Sequence, residues 1–572
     1  MKRILSLILL VLLPLAGQAR NEVVFGWGDS GRHYPAAEKP TFDKVAFPFA
    51  AWRGERVNAL ALLWSPEALS GVTVETGALR CGKAVLPASA LKASLVSYVT
   101  GDVLAEGYNQ CGKRDTVSWK PVREADLIGR YDCLDVPAAT VQPVWLSVDV
   151  PSDAVPGRYK GTLTLRSGAL ALTLPYTLTV GTRALTPPAE RPFHLDLWQN
   201  PYTFARVAGV RLWSPEHFAA MRPVMEHLAR AGQKVITATL MNRPWNGQTE
   251  DAFGSMVTKI RRVDGSWLYD YTVFDKWVEF MMSVGIDRQI NCYTLIPWKL
   301  EFEYFDQATG AVTTVLAPTD SPEYEDYWGS FILDFSRHLR EKGWFGKTMI
   351  AMDERGEEAM RNALSVIHKY EPEMKVALAG NYHASVADEI DDLCLPFRSD
   401  WPEGVLERRR AAGQVSTYYT CCAEGFPNTF IASQPAEACW LALIALQKGA
   451  DGYLRWAFNS WTLDPEHDAR FRSWAAGDTY MVYPEGRTSV RFEKMVEGLQ
   501  DYEKARLLLE EWAAAAASGS DPAAAASGSD PAAARRLEAL KAAIAAFTYE
   551  EIAANGPEPA LRRLRTLLNS GV

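Results

Sequence analysis

The chain has 572 residues, too many for one ordinary domain, and its 48% hydrophobic and 11% aromatic content is that of globular material with sizeable cores. A net charge of -9, from 60 basic against 69 acidic residues, leaves no footprint for nucleic acid or for an anionic membrane surface. The 19 tryptophans are a surplus, and in such proteins rings that do not fill cores line clefts for flat-faced ligands.

Met1 to Ala19 has Lys2 and Arg3, an apolar run from Ile4 to Leu15, and small residues at Ala16-Gly17-Gln18-Ala19. That is the pattern of a secretory signal peptide, so the expectation is a soluble exported protein, periplasmic or extracellular. No later apolar stretch has membrane-spanning length. Of eight cysteines, Cys81, Cys111 and Cys133 fall in the first third, so at least one lacks a partner there, and adjacent Cys421-Cys422 is a poor pair with itself. The reading is mostly buried free thiols. No Cys/His spacing resembles a zinc site, so neither a structural metal nor a cofactor is expected.

Residues 20–185 alternate apolar and polar positions between Gly, Pro, Asp and Ser turns, at Arg56 to Trp64, Gly71 to Glu75, Val144 to Val150, Tyr159 to Leu165 and Leu170 to Val180. The last two segments form a hairpin across Arg166-Ser167-Gly168, and the architecture expected is a β-sandwich. Leu185 to Pro192 follows as a stiff Pro-rich linker.

The pattern changes at residue 193, where short apolar strands begin to alternate with longer helical segments. Strands are expected at Phe193 to Trp198, Val235 to Met241, Ile290 to Leu295, Lys347 to Glu354, Lys375 to Asn381, Asp392 to Phe397, Gln414 to Cys421 and Gly452 to Phe458. Helices fall between them, among them Pro215 to Ala231, Phe274 to Val284, Tyr324 to Lys342, Gly356 to Tyr370 and Pro435 to Lys448. Eight such units over residues 193–485 make an α/β (β/α)8 TIM-like barrel. Residues 486–572 are then C-terminal helices, Ser489 to Ala517, Arg535 to Phe547 and Pro559 to Leu568, with a low-complexity Ala/Ser/Gly/Asp/Pro linker over 513–534.

The fourth barrel strand ends in Met352-Asp353-Glu354-Arg355. Ionised groups cannot lie unpaired in such a core, so Asp353 and Glu354 belong at its end. Successive strand side chains point to opposite faces, so both can serve one site only if the backbone bends there. The plain alternative makes Asp353 the cap of the helix Glu357 to His368 and Glu354 a solvated first-turn residue.

In a barrel the C-terminal ends of all strands converge. They bring Trp198, Trp245, Tyr293, Trp298, Asn381, Tyr382, Trp401, Tyr418, Tyr419, Arg455, Trp456 and Asn459 around the carboxylates. Such a ring of aromatics and amides, with little positive charge and no phosphate-binding glycine motif, suits a neutral sugar. Tyr418, Tyr419 and Trp456 have an equally simple reading as barrel-filling residues.

Three stretches, Ile350-Ala351-Met352-Asp353-Glu354, Gly452-Tyr453-Leu454-Arg455-Trp456-Ala457-Phe458-Asn459-Ser460-Trp461 and Val496-Glu497-Gly498-Leu499-Gln500-Asp501-Tyr502-Glu503, resemble glycoside hydrolase family 123, whose founding activity is β-N-acetylgalactosaminidase. The resemblance covers most of the mature chain, since members join an N-terminal β-sandwich to a C-terminal barrel. It implies a retaining glycosidase acting on terminal β-linked N-acetylgalactosamine of glycans or glycolipids. Glu354 would be the general acid and then the base. Asp353 would hold the substrate's own 2-acetamido group, whose carbonyl oxygen attacks the anomeric carbon. The Asp353 anion would raise the Glu354 pKa, and Arg355 would face away. Asn381, Tyr382, Tyr418, Tyr419, Trp401, Arg455, Trp456, Asn459, Trp198 and Trp298 would bind the carbohydrate substrate. Two other readings stay open, a related exo-glycosidase of different sugar specificity and a non-catalytic glycan-binding protein.

Overall fold

The computed structural model describes residues 23–42, 49–103, 111, 119–517 and 531–570. The segment expected to be a signal peptide, and most of the low-complexity linker, lie outside the described residues. Among those described, no helix is long and apolar enough to cross a membrane.

Two sheets build the N-terminal region. One has five strands, in spatial order Val24–Gly28, Arg56–Ser65, Thr140–Asp149, Leu91–Val103 and Lys120–Ile128. The other centres on the hairpin Gly157–Ser167 and Leu170–Ala184, whose turn needs Gly168 at φ +55°. Alternation along the strands puts Ala61, Leu63 and Val144 from the first sheet against Val72, Leu163 and Leu165 from the second.

The parallel sheet runs, in spatial order, His194–Leu197, Gly452–Arg455, Val415–Tyr419, Asp392–Pro396, Lys375–Ala379, Thr348–Asp353, Gln289–Tyr293 and Val235–Thr239. It is a nearly closed eight-stranded barrel. Between its first and second strands in chain order, only a single bridge, Leu195 with Gln233, pairs the backbones. Side-chain amides supply the rest: Gln233 Oε1 accepts from Leu197 N at 3.0 Å, and Gln199 Oε1 accepts from Thr237 N at 2.9 Å. Those glutamines are buried because they stand in for backbone partners.

Side-chain parity sorts the barrel. Leu195, Leu197, Ile350, Met352, Leu393, Leu395, Tyr418 and Tyr453 face outward into the core beneath the helices. Their neighbours Trp198, Met349, Ala351, Ala377, Ala379, Cys394, Tyr419 and Leu454 face inward.

Loops after the second and third barrel strands carry a four-stranded sheet that the sequence pattern did not disclose: Thr258–Arg261, Trp267–Asp270, Glu301–Asp306 and Ala311–Leu316. Its hairpins turn at Gly265 and Gly310, both at positive φ, and these were its one local signal. A short helix, Tyr549–Asn555, was also missed.

The long helix Val490–Ala517 wedges between sandwich and barrel. Toward the sandwich, Arg491 pairs with Asp126 at 3.0 Å and Lys504 with Glu55 at 2.6 Å, all nearly inaccessible. Toward the barrel it lies against the helix Glu437–Lys448, where Gly498 is needed because a Cβ would sit 2.4 Å from the Cys439 carbonyl oxygen. The Gly498-to-Glu503 motif is therefore a docking spine: Gln500 bonds the Arg56 backbone in both directions, and Asp501 accepts from Arg565 at 2.8 Å. A disulfide, Cys111–Cys422, also ties the N-terminal region to the barrel; the other six cysteines are free, with Cys292, Cys394 and Cys439 buried.

Candidate active site

Asp353 is the last residue of the fourth barrel strand, and parity points it inward. Glu354 would point outward if the strand continued. Instead it adopts φ +50°, a left-handed conformation rare for a residue with a side chain, and the chain bends. This is the bend that two neighbouring carboxylates require. The turn is held by Glu354 N donating to the Ala379 carbonyl at 2.7 Å. Gly380 leaves it room, since a Cβ there would lie 3.2 Å from Glu354 Cα and 3.4 Å from its nitrogen.

Across the mouth, the Tyr419 hydroxyl of the seventh strand donates to Glu354 Oε1 at 2.9 Å. Burial, and then the Glu354 charge, raise the Tyr419 pKa, so it remains a donor. Asp353 lies deeper than the exposed Glu354. Burial, followed by the Glu354 charge, pushes Asp353 up to about 7; Arg355 and the indole N–H groups of Trp245 and Trp298 act in the opposite sense.

Arg355 does not face away. Its Nε donates to the Asp353 carbonyl at 2.5 Å and its guanidinium lies 5.8 Å from the Trp298 ring, so it closes over the turn. Backbone capture fixes it there, leaving its charge beside the pair.

Aromatic rings floor the site. Trp198 packs 4.5 Å from Tyr293 and 5.0 Å from Trp245, and Trp245 lies 5.1 Å from Tyr293. Trp456 completes that side, its indole N–H donating to Asp478 at 3.3 Å. A small enclosed cavity of about 10 Å³ lies among Trp198, Arg243, Trp245 and Trp456. Trp298 is 39% exposed at the rim. Asn381, exposed, and Tyr382, half-buried, follow Gly380 beside the turn, and the next residue, His383, bonds the Arg355 carbonyl at 3.2 Å.

Four predicted contacts are not at the mouth. Tyr418 faces outward by parity, and its hydroxyl donates to the Leu441 carbonyl of the surrounding helix. Arg455 also faces outward, in a fully buried ion pair with Asp478 at 2.7 Å, which holds the loop under Trp456. Asn459 is buried and reciprocally bonded to the Asn200 backbone. Trp401 packs on the outer core with the Arg409 guanidinium 5.8 Å from its ring. Each lies near a strand end, but strand alternation or an exit from the rim turns it away. Asp478, which tethers both Trp456 and Arg455, was missed: it follows the eighth strand by more than 20 residues, and nothing local marks it.

Residues 198–508 match the family model of the glycoside hydrolase 123 catalytic domain, and residues 27–167 that of the glycoside hydrolase 123 N-terminal domain. The chain belongs to glycoside hydrolase family 123. Among solved structures it is similar to a family 123 glycoside hydrolase from Clostridium perfringens, studied for the details of glycolipid glycan hydrolysis, at 22% identity and a TM-score of 0.83 over 96% of this chain and 98% of that one. At that identity the likeness speaks for the fold. The β-glucuronidase of Parabacteroides merdae aligns at 11% identity and a TM-score of 0.28, over 84% of this chain and 52% of its own. A search of curated proteins matches none.

Proposed function

We propose that this glycoside hydrolase removes terminal β-linked N-acetylgalactosamine from glycans or glycolipids, with retention, using the substrate's 2-acetamido group as nucleophile. The observation that carries the reading is the turn at Glu354. It delivers two consecutive carboxyl groups to one side of the mouth, while the facing position is a tyrosine hydroxyl. Trp198, Tyr293 and Ala379 lie in one inward-facing cluster, with Trp456 packed against it. A protein nucleophile opposite the acid is the usual retaining arrangement; a nucleophile carried by the sugar dispenses with it.

Glu354, exposed at the mouth and held by Tyr419, protonates the departing glycosidic oxygen. Asp353, deeper and ionised, accepts the acetamido N–H and stabilises the positive charge that develops as the carbonyl oxygen closes on the anomeric carbon. Glu354 then takes a proton from water as it opens the oxazolinium ring, restoring the original configuration. The aromatic floor supplies flat faces for the sugar ring. Met1 to Ala19 supports export of the mature enzyme.

The test is hydrolysis of chromogenic β-N-acetylgalactosaminide and β-N-acetylglucosaminide beside their 2-hydroxyl counterparts by wild type, Glu354→Gln and Asp353→Asn. Cleavage confined to an acetamido sugar, and lost in both folded variants, is expected. Equal cleavage of the 2-hydroxyl sugars would overturn the acetamido mechanism.

A further inference from the structure

The four-stranded sheet carried by the loops after the second and third barrel strands has two unlike faces. One face builds its attachment: Trp267 and Phe302 pack 5.6 and 5.0 Å from Tyr327 of the helix Pro322–Glu341, Tyr269 lies 5.3 Å from Phe331, and Arg261 pairs with Asp326 at 3.0 Å. Alternation sends the neighbours of those residues the other way. Register then lines them up, since Leu268 stands opposite Ile260, Ile260 opposite Phe305 and Phe305 opposite Val312. An apolar row thus crosses all four strands on the side turned from the fold, and Leu316 follows on the same face of the edge strand.

That face is uncovered. Ile260 is half-buried, Leu268 and Phe305 are each 38% exposed, and Val312 and Leu316 are 67% and 70% exposed. Among the described residues fourteen large apolar side chains are exposed; six of them, these last four with Val263 and Trp298, fall between residues 263 and 316, so the exposure is concentrated here instead of scattered. The core does not use the row, whereas Trp267, Tyr269, Tyr304 and Val315 of the opposite face pack against it. The sheet also adjoins the mouth. Trp298 at the rim leads through Lys299 and Leu300 into the strand Glu301–Asp306, and its backbone N–H donates to the Pro244 carbonyl at 3.0 Å. Glu303, on the same face as the row, accepts from Asn242 Nδ2 at 2.6 Å, and Asn242 lies in the loop after the second barrel strand.

We propose that this face rests on the surface of a zwitterionic lipid layer while the mouth takes the sugar headgroup of a glycolipid anchored in that layer. This rests on the reading of the substrate as a glycolipid. The terminal sugar enters the mouth first, so the lipid end leaves over the rim, and the apolar face adjoins that rim. A second copy of the chain fits the patch less well. Its five side chains uncover on the order of 400 Å², whereas a standard protein interface takes about 800 Å² from each partner. Attachment to a lipid surface scales with the apolar area buried and is reversible when that area is small. Charge does not draw the face there: Asp264, Asp270, Glu301 and Glu303 are exposed around the row against Arg262 and Lys299, in a chain of net charge -9. The contact is therefore apolar, and anionic lipid should weaken it.

The experiment uses phosphatidylcholine vesicles, with and without a glycolipid bearing terminal β-linked N-acetylgalactosamine, and a variant combining Phe305→Thr, Val312→Thr and Leu316→Thr, which keeps strand propensity. Wild type is expected to sediment with vesicles lacking the glycolipid, and the variant at least about fivefold less. Hydrolysis of the embedded glycolipid should fall by about fivefold or more, while kcat/KM on the soluble chromogenic β-N-acetylgalactosaminide and the melting temperature stay at wild-type values. Wild type that stays in solution at every vesicle concentration would overturn the proposal. So would equal losses on embedded and soluble substrate, or a wild-type dimer in light scattering that the variant converts to monomer. If wild type cleaves no acetamido sugar, the reaction assignment fails while sedimentation still decides the lipid contact.

Discussion

The Tyr419 hydroxyl and Glu354 Oε1 meet at 2.9 Å across the barrel mouth, joining the seventh strand to the bend that ends the fourth. The bond fixes a carboxyl that would otherwise swing in solvent, and it gives Glu354 a neutral donor instead of a cation. A general acid needs to be held without being forced to ionise. Tyr419→Phe should lower kcat/KM by about tenfold to a hundredfold, the range for a hydrogen bond to a charged group, with little change in melting temperature. Steady-state kinetics beside a thermal melt checks this; unchanged kcat/KM would make the bond incidental.

The pH profile should report the carboxyl pair. Asp353 must be ionised to hold the acetamido N–H, and it is pushed up to about 7, so kcat/KM should fall as pH drops below that value. Profiles measured from pH 4 to 9 check the sign; a rate that climbs steadily toward pH 4 would contradict the assignment.

Gly380 should be sensitive to a single carbon. A Cβ would crowd Glu354 Cα at 3.2 Å, and backbone cannot move aside as a flexible side chain can. Gly380→Ala is expected to reduce activity several-fold and Gly380→Val to abolish it, with both proteins still folded by circular dichroism.

The Arg455–Asp478 pair should behave as a buried ion pair, despite resembling a binding residue in the sequence. Asp478→Asn leaves a buried guanidinium without its counter-charge and should destabilise by about 3–5 kcal/mol in denaturant titration. Asp478→Asn combined with Arg455→Met should recover part of that loss. Activity should fall alongside stability because Trp456 shares the Asp478 tether.

Much of the barrel was legible because its strands are short apolar runs separated by helical segments, and the eight expected strands overlap the eight observed. Position near a strand end was legible too. Parity decides which of the neighbouring residues face inward: Tyr418 and Tyr419 are adjacent, as are Arg455 and Trp456, and alternation admits only one of each to the interior. Glu354 breaks the same rule in the opposite direction, and only the positive φ, invisible in a residue string, brings it to the mouth. Asp478 and the four-stranded insertion depend on contacts across long loops, where local periodicity carries little information.

The seam closed by Gln199 and Gln233 has a consequence for how the molecule breathes. Elsewhere around the sheet, one strand's amides are held by the next strand's carbonyls, and releasing them requires moving whole strands. Along this line two side chains do the holding, and a rotamer change releases Leu197 and Thr237 with both strands in place. Trp198 is next in the chain after Leu197, so the place where solvent hydrogen can enter the barrel most cheaply is also the edge of the floor beneath the sugar site. Leu197, one of the two amides held in this way, and Trp198, at the edge of the aromatic wall, are thus consecutive residues, so loosening of the seam acts directly on that wall.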